Sequence, residues 1–246
     1  MKTVLFNARL FVGAADLTSS SNRIELSSSI EEKEVTTFRP EGDVWREVIG
    51  GIASTTITGA GYWEAGDPGL VDDAAWAALN GRGRLPATIC PATASGGALA
   101  YITRGLVTSY TIGDAVGEVA PWELQASGSD VLTRGIVVHP PGVPRTADGA
   151  GDGYHIGPVT SGRRLIAALH VLSVAGTNAE LEVRIESSSD SGWSNPATQG
   201  LFAGTTAPSS QVIAVPGPVA DEYWRVAWSV SGDDPSFLFL VSIGIA

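Results

Sequence analysis

The side chains best suited to acid–base, nucleophilic or metal chemistry are His139, His155, His170, Cys90 and the carboxylate pairs Asp72-Asp73, Asp221-Glu222 and Asp233-Asp234. Their spacing does not assemble a catalytic site. His139 abuts a proline-rich run and His170 lies inside the apolar run 165–174, so both read as structural histidines. His155 lies near Asp148 and Asp152, but one imidazole among acids on a Gly-rich stretch is a thin ligand set for a metal. Carboxylates adjacent in sequence need not converge on one substrate, and helix-start and turn polarity account for all three pairs. There is no Gly-x-Ser-x-Gly elbow, and Gly149-Ala150-Gly151-Asp152-Gly153 lacks the strand-to-helix setting of a phosphate loop. Cys90 has no second cysteine to bridge and sits in an apolar run, as a buried inert thiol would. The expectation is a non-enzyme with no catalytic residues, no cofactor and no metal.

One polar loop offers binding chemistry instead. Trp193 lies in Ser187-Ser188-Ser189-Asp190-Ser191-Gly192-Trp193-Ser194-Asn195-Pro196. Exposed there, it would stack on a sugar ring while Asp190 and Asn195 bond its hydroxyls. Folded back, it would cap the edge of a β-sandwich.

These residues have to be held by a chain that is 43% hydrophobic, enough to build a core, and that carries a formal charge of −11. Such a charge argues against gripping a nucleic-acid backbone, which needs a basic patch. An acidic channel wall would instead let DNA slide past without sticking, although ordinary solubility explains the charge as well. No apolar run is long enough to span a membrane, and Asn7 and Arg9 interrupt the start where a signal peptide needs an apolar core.

The central stretch is 31–64. It opens on Glu31-Glu32-Lys33-Glu34, a solvated edge or loop, passes a turn at 39–43, and becomes a strand over 52–59 rich in Thr and Ile. Gly59 and Gly61 imply a bulge or a close backbone approach. Residues 71–80 form the one convincing helix, with Asp72 and Asp73 in its first turn, Gly81 at its stop, and Val71, Ala75, Trp76 and Leu79 on one apolar stripe. Strands are expected at 3–13, 23–30, 84–90, 98–110, 120–126 and 131–139. Pro140-Pro141-Gly142-Val143-Pro144 and the Gly/Asp run after it read as a linker, 141–153, between domains 1–140 and 154–246. In the second domain, 165–174 and 237–245 are apolar on both faces, 180–186 alternates, and 223–230 puts Trp224 and Trp228 on one side and Arg225 and Ser229 on the other. Short strands between turns indicate a jelly-roll or Ig-like sandwich.

The order Val35-Thr36-Thr37-Phe38, Trp45-Arg46-Glu47, Gly50-Gly51 and Gly61-Tyr62-Trp63 resembles the major tail tube proteins of long-tailed, siphovirus-type actinobacteriophages. Tyr101, Arg104-Gly105, Pro121-Trp122 and 133–139 continue the resemblance, which covers residues 1–140. It implies a tail-tube-type β-sandwich or half-barrel with one short helix, followed by a C-terminal β-sandwich that decorates the tube. It also implies hexameric rings stacked into a virion tail tube, assembled in the host cytoplasm as the conduit for DNA ejection. The partners it implies are further copies of the chain, tape measure and tail terminator proteins, and genomic DNA passing without specific binding, with no membrane. The residues it implies between rings are Thr36, Thr37, Phe38, Arg39, Trp45 and Arg46. The alternative reading is a carbohydrate-binding or adhesion module of a phage tail.

Overall fold

The computed structural model describes residues 7–36, 45–67, 69–81 and 83–246. The described chain is mainly β with one helix. Its elements run β1 (Arg9–Val12), β2 (Ala15–Asp16), β3 (Ser21–Glu34), β4 (Val48–Tyr62), α1 (Val71–Gly81), β5 (Leu85–Cys90), β6 (Leu99–Ile112) and β7 (Pro121–Gly128). They continue with β8 (Thr133–His139), β9 (Gly149–Ala150), β10 (Tyr154–His155), β11 (Arg164–Ser188), β12 (Ala197–Leu201), β13 (Ser209–Pro216) and β14 (Tyr223–Ile245).

Two long strands organise the C-terminal half. β11 and β14 pair antiparallel from Leu165↔Ile245 to Ser188↔Tyr223, with register shifts between residues 171 and 180. Bulges bend a ribbon and raise its twist, and Asn178 and Asp234 adopt left-handed φ values of 51° and 49° near the bend. On one side of the bend the ribbon is joined by β13 and β8; on the other it is joined by β12, β9 and β10. Leu169, Val171, Leu181, Val183, Trp224 and Phe239 fill a single core between the two arms. The turn-forming residues that separate 165–174 from 180–186 in the sequence therefore bend one continuous strand. Trp224 and Trp228 face this core and Arg225 faces away, as their alternation requires.

The other face of 165–172 is also buried. Ile166 and Ala168 pack on Ile102 of β6, and Leu240 packs with Phe11, Cys90 and Val137. This is why these runs are apolar in both registers.

In the N-terminal half, β6 changes partners along its length. Its first part pairs with β5 and β8; its second part pairs with β7, and Gly105 opposes both Leu85 and Gly128 at the change-over. β7 pairs with β4, and β4 with β3. The core under this sheet contains Ile57, Trp122, Leu124, Val107, Leu10 and the helix residues Val71, Ala75 and Ala78. Gly59 is a close approach: a Cβ there would meet Trp122 at 2.9 Å. Trp76 departs from expectation. It is 62% exposed, because the buried stripe runs Val71–Ala75–Ala78 and small alanines bring the helix close.

β8 of the N-terminal half hydrogen-bonds directly to β14, and β9, formed by Gly149 and Ala150, pairs with β14 at Ala227 and Trp228. Arg145 bridges Phe237 through backbone hydrogen bonds in both directions. No helix among the described residues is long and apolar enough to cross a membrane.

Candidate functional site: an open-edged sheet and its arm

Four strands, in the order β3–β4–β7–β6, make a sheet in which each neighbour is antiparallel. Among the described residues β3 pairs only with β4, and β6 beyond Gly105 pairs only with β7. Both margins thus present unpaired backbone donors and acceptors. Natural sheets usually cover or shorten such edges; here β3 alone is 14 residues long. With four alternating strands, the two open edges run in opposite directions. A second copy placed alongside would set its β3 antiparallel to β6 of the first.

Beyond the core, β3 and β4 continue as a two-stranded arm, residues 29–36 against 45–54, paired out to Glu34↔Val48. Isolated hairpins are marginal in water; this one is crossed by ion pairs from Arg46 to Glu32 and Glu34 at 3.9 and 3.5 Å, while Lys33 pairs with Glu31 along β3. It nevertheless exposes Trp45 (85%), Ile52 (78%), Ile30 (63%) and Ile49 (54%). Apolar side chains at those exposures on a narrow ribbon mark a surface that gains by being covered. Of the residues expected between rings, Trp45 and Arg46 lie at the arm's end, and Thr36 closes it by accepting the Glu47 N–H at 3.0 Å. Thr37, Phe38 and Arg39 lie outside the described residues. The charged segment 31–34 is the outer part of β3. Its charges sit on a strand because cross-strand partners are supplied by 46–50.

Trp193, Asp190 and Asn195 lie on the loop between β11 and β12. Asp190 is occupied with its own loop, accepting from the N–H of Gly192 at 2.8 Å and from Ser194. Trp193 is half-buried: the Arg225 guanidinium lies 4.2 Å over its ring, and Gly153 packs so close that a Cβ would collide with the indole. Arg225 in turn bonds Glu186, which Arg184 also reaches at 2.7 Å. Burial would raise the Glu186 pKa, but the two arginines outweigh it and hold the carboxyl below its usual range. Asn195 is exposed.

The histidines have structural partners. His170 is fully buried, with Nδ1 donating to the Gly13 carbonyl at 2.7 Å. A carbonyl only accepts, so the Nδ1 proton is fixed and Nε2 accepts from Thr88 at 2.8 Å; Ser242 then donates to Thr88 at 3.1 Å. His139 donates from Nδ1 to Phe239 O and accepts from Arg145 Nε, stacked 4.0 Å from the Phe239 ring. Burial lowers both imidazoles to a pKa of about 4, helped at His139 by Arg145. His155 approaches Glu222 at 3.3 Å. Among the described residues, no group of three or more His, Cys, Asp or Glu could hold a metal ion. Cys90 is buried, and its thiol pKa is pushed up to about 12 by burial first and by Asp16 second.

No family model matches the chain, and no curated protein matches it. Among solved structures it is similar to a chain of the virion of a native gene transfer agent particle, at 21% identity over 51% of this chain and 94% of that one, with a TM-score of 0.42. It is similar to the SPP1 tail tube at 12% identity over 52% of this chain and 76% of that one, with a TM-score of 0.41. It is also similar to the SPP1 Dit protein at 12% identity over 97% of this chain and 99% of that one, with a TM-score of 0.36.

Proposed function

We propose that this chain is the subunit of a phage tail tube, a structural virion protein that joins copies of itself into rings and stacks the rings into a conduit for DNA ejection. The observation that carries the reading is the β3–β4–β7–β6 sheet with its two open, oppositely directed edges. Edge-to-edge addition of identical copies is heterologous, and such an interface closes into a ring when the rotation between copies allows it. Six copies, the number the sequence resemblance implies, would make a wall of about 24 strands. At ~4.8 Å per strand its circumference is about 115 Å, so it is about 37 Å across between backbones. That bore admits duplex DNA.

The arm supplies the second interface. Its exposed Trp45, Ile49 and Ile52 would be covered by a copy in the adjacent ring, placing Thr36, Arg46 and the intervening 37–44 segment between rings. Tape measure and tail terminator proteins are the further partners of such a tube. Among the described residues the C-terminal half adds no strand to these four, and it is assigned to the outer side of the ring.

The test is negative-stain electron microscopy of the purified protein over a concentration series. Rings or hollow tubes of that bore are expected. Uniform monomers up to the highest soluble concentration would sink the proposal.

A further inference from the structure

The Pro-, Gly- and Asp-rich run that follows β8 packs on β14 and walls a cavity of about 430 Å³. The run is pinned at several points. Arg145 bridges Phe237 through the backbone, and the Trp228 indole donates to the Ala147 carbonyl at 3.0 Å. Asp148 accepts from the Val230 N–H at 2.8 Å, and the Gly151 N–H donates to the Val226 carbonyl at 2.8 Å. The cavity is therefore formed in advance of any occupant, and its size falls in the range of small-ligand sites, roughly 300–1,000 Å³. Its polar lining comes from His139, Arg145, Asp152 and Tyr154, with Gly96 and Trp228 beside them.

Arg145 is the fixed point. Its Nε donates to His139 Nε2 at 3.0 Å, and its guanidinium lies 4.9 Å over the Trp228 ring. His139 can only accept at that position, because its Nδ1 proton is committed to the Phe239 carbonyl and burial keeps the ring neutral. These contacts set the plane of the guanidinium and leave its charge uncompensated: among the described residues no carboxylate pairs with Arg145. Its Nη groups, the fork that suits a carboxylate, have no acceptor there. Asp152 lines the same cavity and makes no ion pair or hydrogen bond with the described residues either. The Tyr154 hydroxyl also lacks a described partner, and it sits so close to Gly96 that a Cβ there would lie 2.1 Å from it. Burial first and Asp152 second raise the Tyr154 pKa, so the phenol keeps its proton and can donate.

A cation and an anion that line one cavity without pairing leave room for a molecule that satisfies both. We infer that this cavity binds a small carboxylate that also carries hydrogen-bond donors. The carboxylate lies on the Arg145 guanidinium, and hydroxyl or ammonium groups of the same molecule donate to Asp152. Sugar acids and α-amino acids share that chemistry. Other classes fit worse. An apolar molecule would strip water from Arg145 and Asp152 and give nothing back. A neutral sugar would leave the guanidinium without an anion, and a simple anion would meet Arg145 but be repelled by Asp152. The site lies within one chain and is separate from the Trp193 loop, so it does not depend on ring formation.

The test is saturation-transfer NMR observed on the ligand, which reads binding to the intact chain whether it is monomeric or assembled. A failure here is thus distinct from a failure of the tube reading. The probes are D-glucuronate, L-serine, D-glucose and acetate. Glucuronate or serine should bind saturably with a Kd of order 1 mM, as a few charge-assisted contacts supply, and about ten-fold tighter than glucose or acetate. Which of the two binds identifies the donor, hydroxyl or ammonium, that Asp152 accepts. Arg145→Gln should weaken that probe about ten-fold, and Asp152→Asn, at an exposed side chain, about three-fold or more. Thermal unfolding shows whether each variant is folded; if Arg145→Gln is not, Asp152→Asn decides alone. No saturable binding of glucuronate or serine, equal binding of glucose or acetate, or affinity unchanged in folded Asp152→Asn overturns the inference.

Discussion

The Thr88 hydroxyl on β5 donates to His170 Nε2 on β11 across 2.8 Å, inside a fully buried layer shared by the two halves of the chain. His170 Nδ1 is committed to the Gly13 carbonyl, so Thr88 is the proton donor on which Nε2 depends. Thr88→Val keeps the shape and removes that donor, leaving Nε2 and the Ser242 hydroxyl without it. Leaving a buried polar group unsatisfied costs about 1–3 kcal/mol, and the variant should lose that much in denaturant unfolding. A loss below about 0.5 kcal/mol would mean the triad does not hold the halves together.

The same histidines predict an acid-side loss of stability. His139 and His170 are held neutral, with pKa values near 4 against an ordinary 6.5. Between those values the unfolded chain binds protons that the folded chain does not, so stability rises with pH through that window. It is complete above about 6.5 and is lost progressively as pH falls toward 4. Glu186, whose pKa is lowered, adds a further loss below its ordinary 4.5. Unfolding midpoints should stay level from pH 7.5 to about 6.5 and fall from there to pH 4. In His170→Asn, whose side chain does not titrate, the slope between 6.5 and 4 should be shallower; an unchanged slope would assign the effect elsewhere.

Arg225 ties a buried carboxylate to a surface ring. It bonds Glu186, whose side chain is only 7% exposed, at 2.8 Å while lying over Trp193. Removing one partner of a buried ion pair strands the other, typically at a cost of about 3–5 kcal/mol. Arg184 still reaches Glu186, so Arg225→Met should fall toward the lower end of that range. Trp193→Ala removes only a half-buried cover and should cost markedly less. Equal losses in the two variants would show that the indole, not the charge, anchors the loop.

Much of this architecture is legible in the residues, and the illegible parts have physical causes. Alternation at 223–230 and double-faced apolarity at 165–174 report burial directly, because side-chain direction follows strand period. The buried identity of His170 follows from its apolar neighbours. What local pattern does not carry is which strands meet. The pairing of β8 with β14 spans about a hundred residues, and the open edges of β3 and β6 are defined by having no further partner among the described residues. Gly176, Asn178, Gly232 and Asp234 look like breaks because turn formers end strands as often as they bend them. Trp76 misleads because its size suggests a core residue at helical spacing, whereas the helix packs through its alanines. The loop of Trp193 offers two alternatives in sequence, and its contact with Arg225, 32 residues away, is not visible in local pattern.

Ring closure and ring stacking rest on different residues, so they should fail separately. Thr108 is the extra residue of a bulge on the free edge of β6, where the register shifts between Val107 and Ser109. It has no register partner on β7, and bulges are among the sheet positions that accept proline, so Thr108→Pro should leave the fold intact by circular dichroism while blocking addition of another strand there. It should give monomers at every concentration. Ile52→Asp and Trp45→Ala act on the arm, at side chains 78% and 85% exposed. Exposed substitutions of this kind leave monomer stability within about 0.5 kcal/mol, and rings should still close because the arm is beyond the paired edge of the core sheet. Stacking should be lost, giving isolated rings in place of tubes. The two phenotypes discriminate between interfaces: rings from the edge variant would show that β6 is not the ring joint, and full-length tubes from both arm variants would show that the arm does not bridge rings.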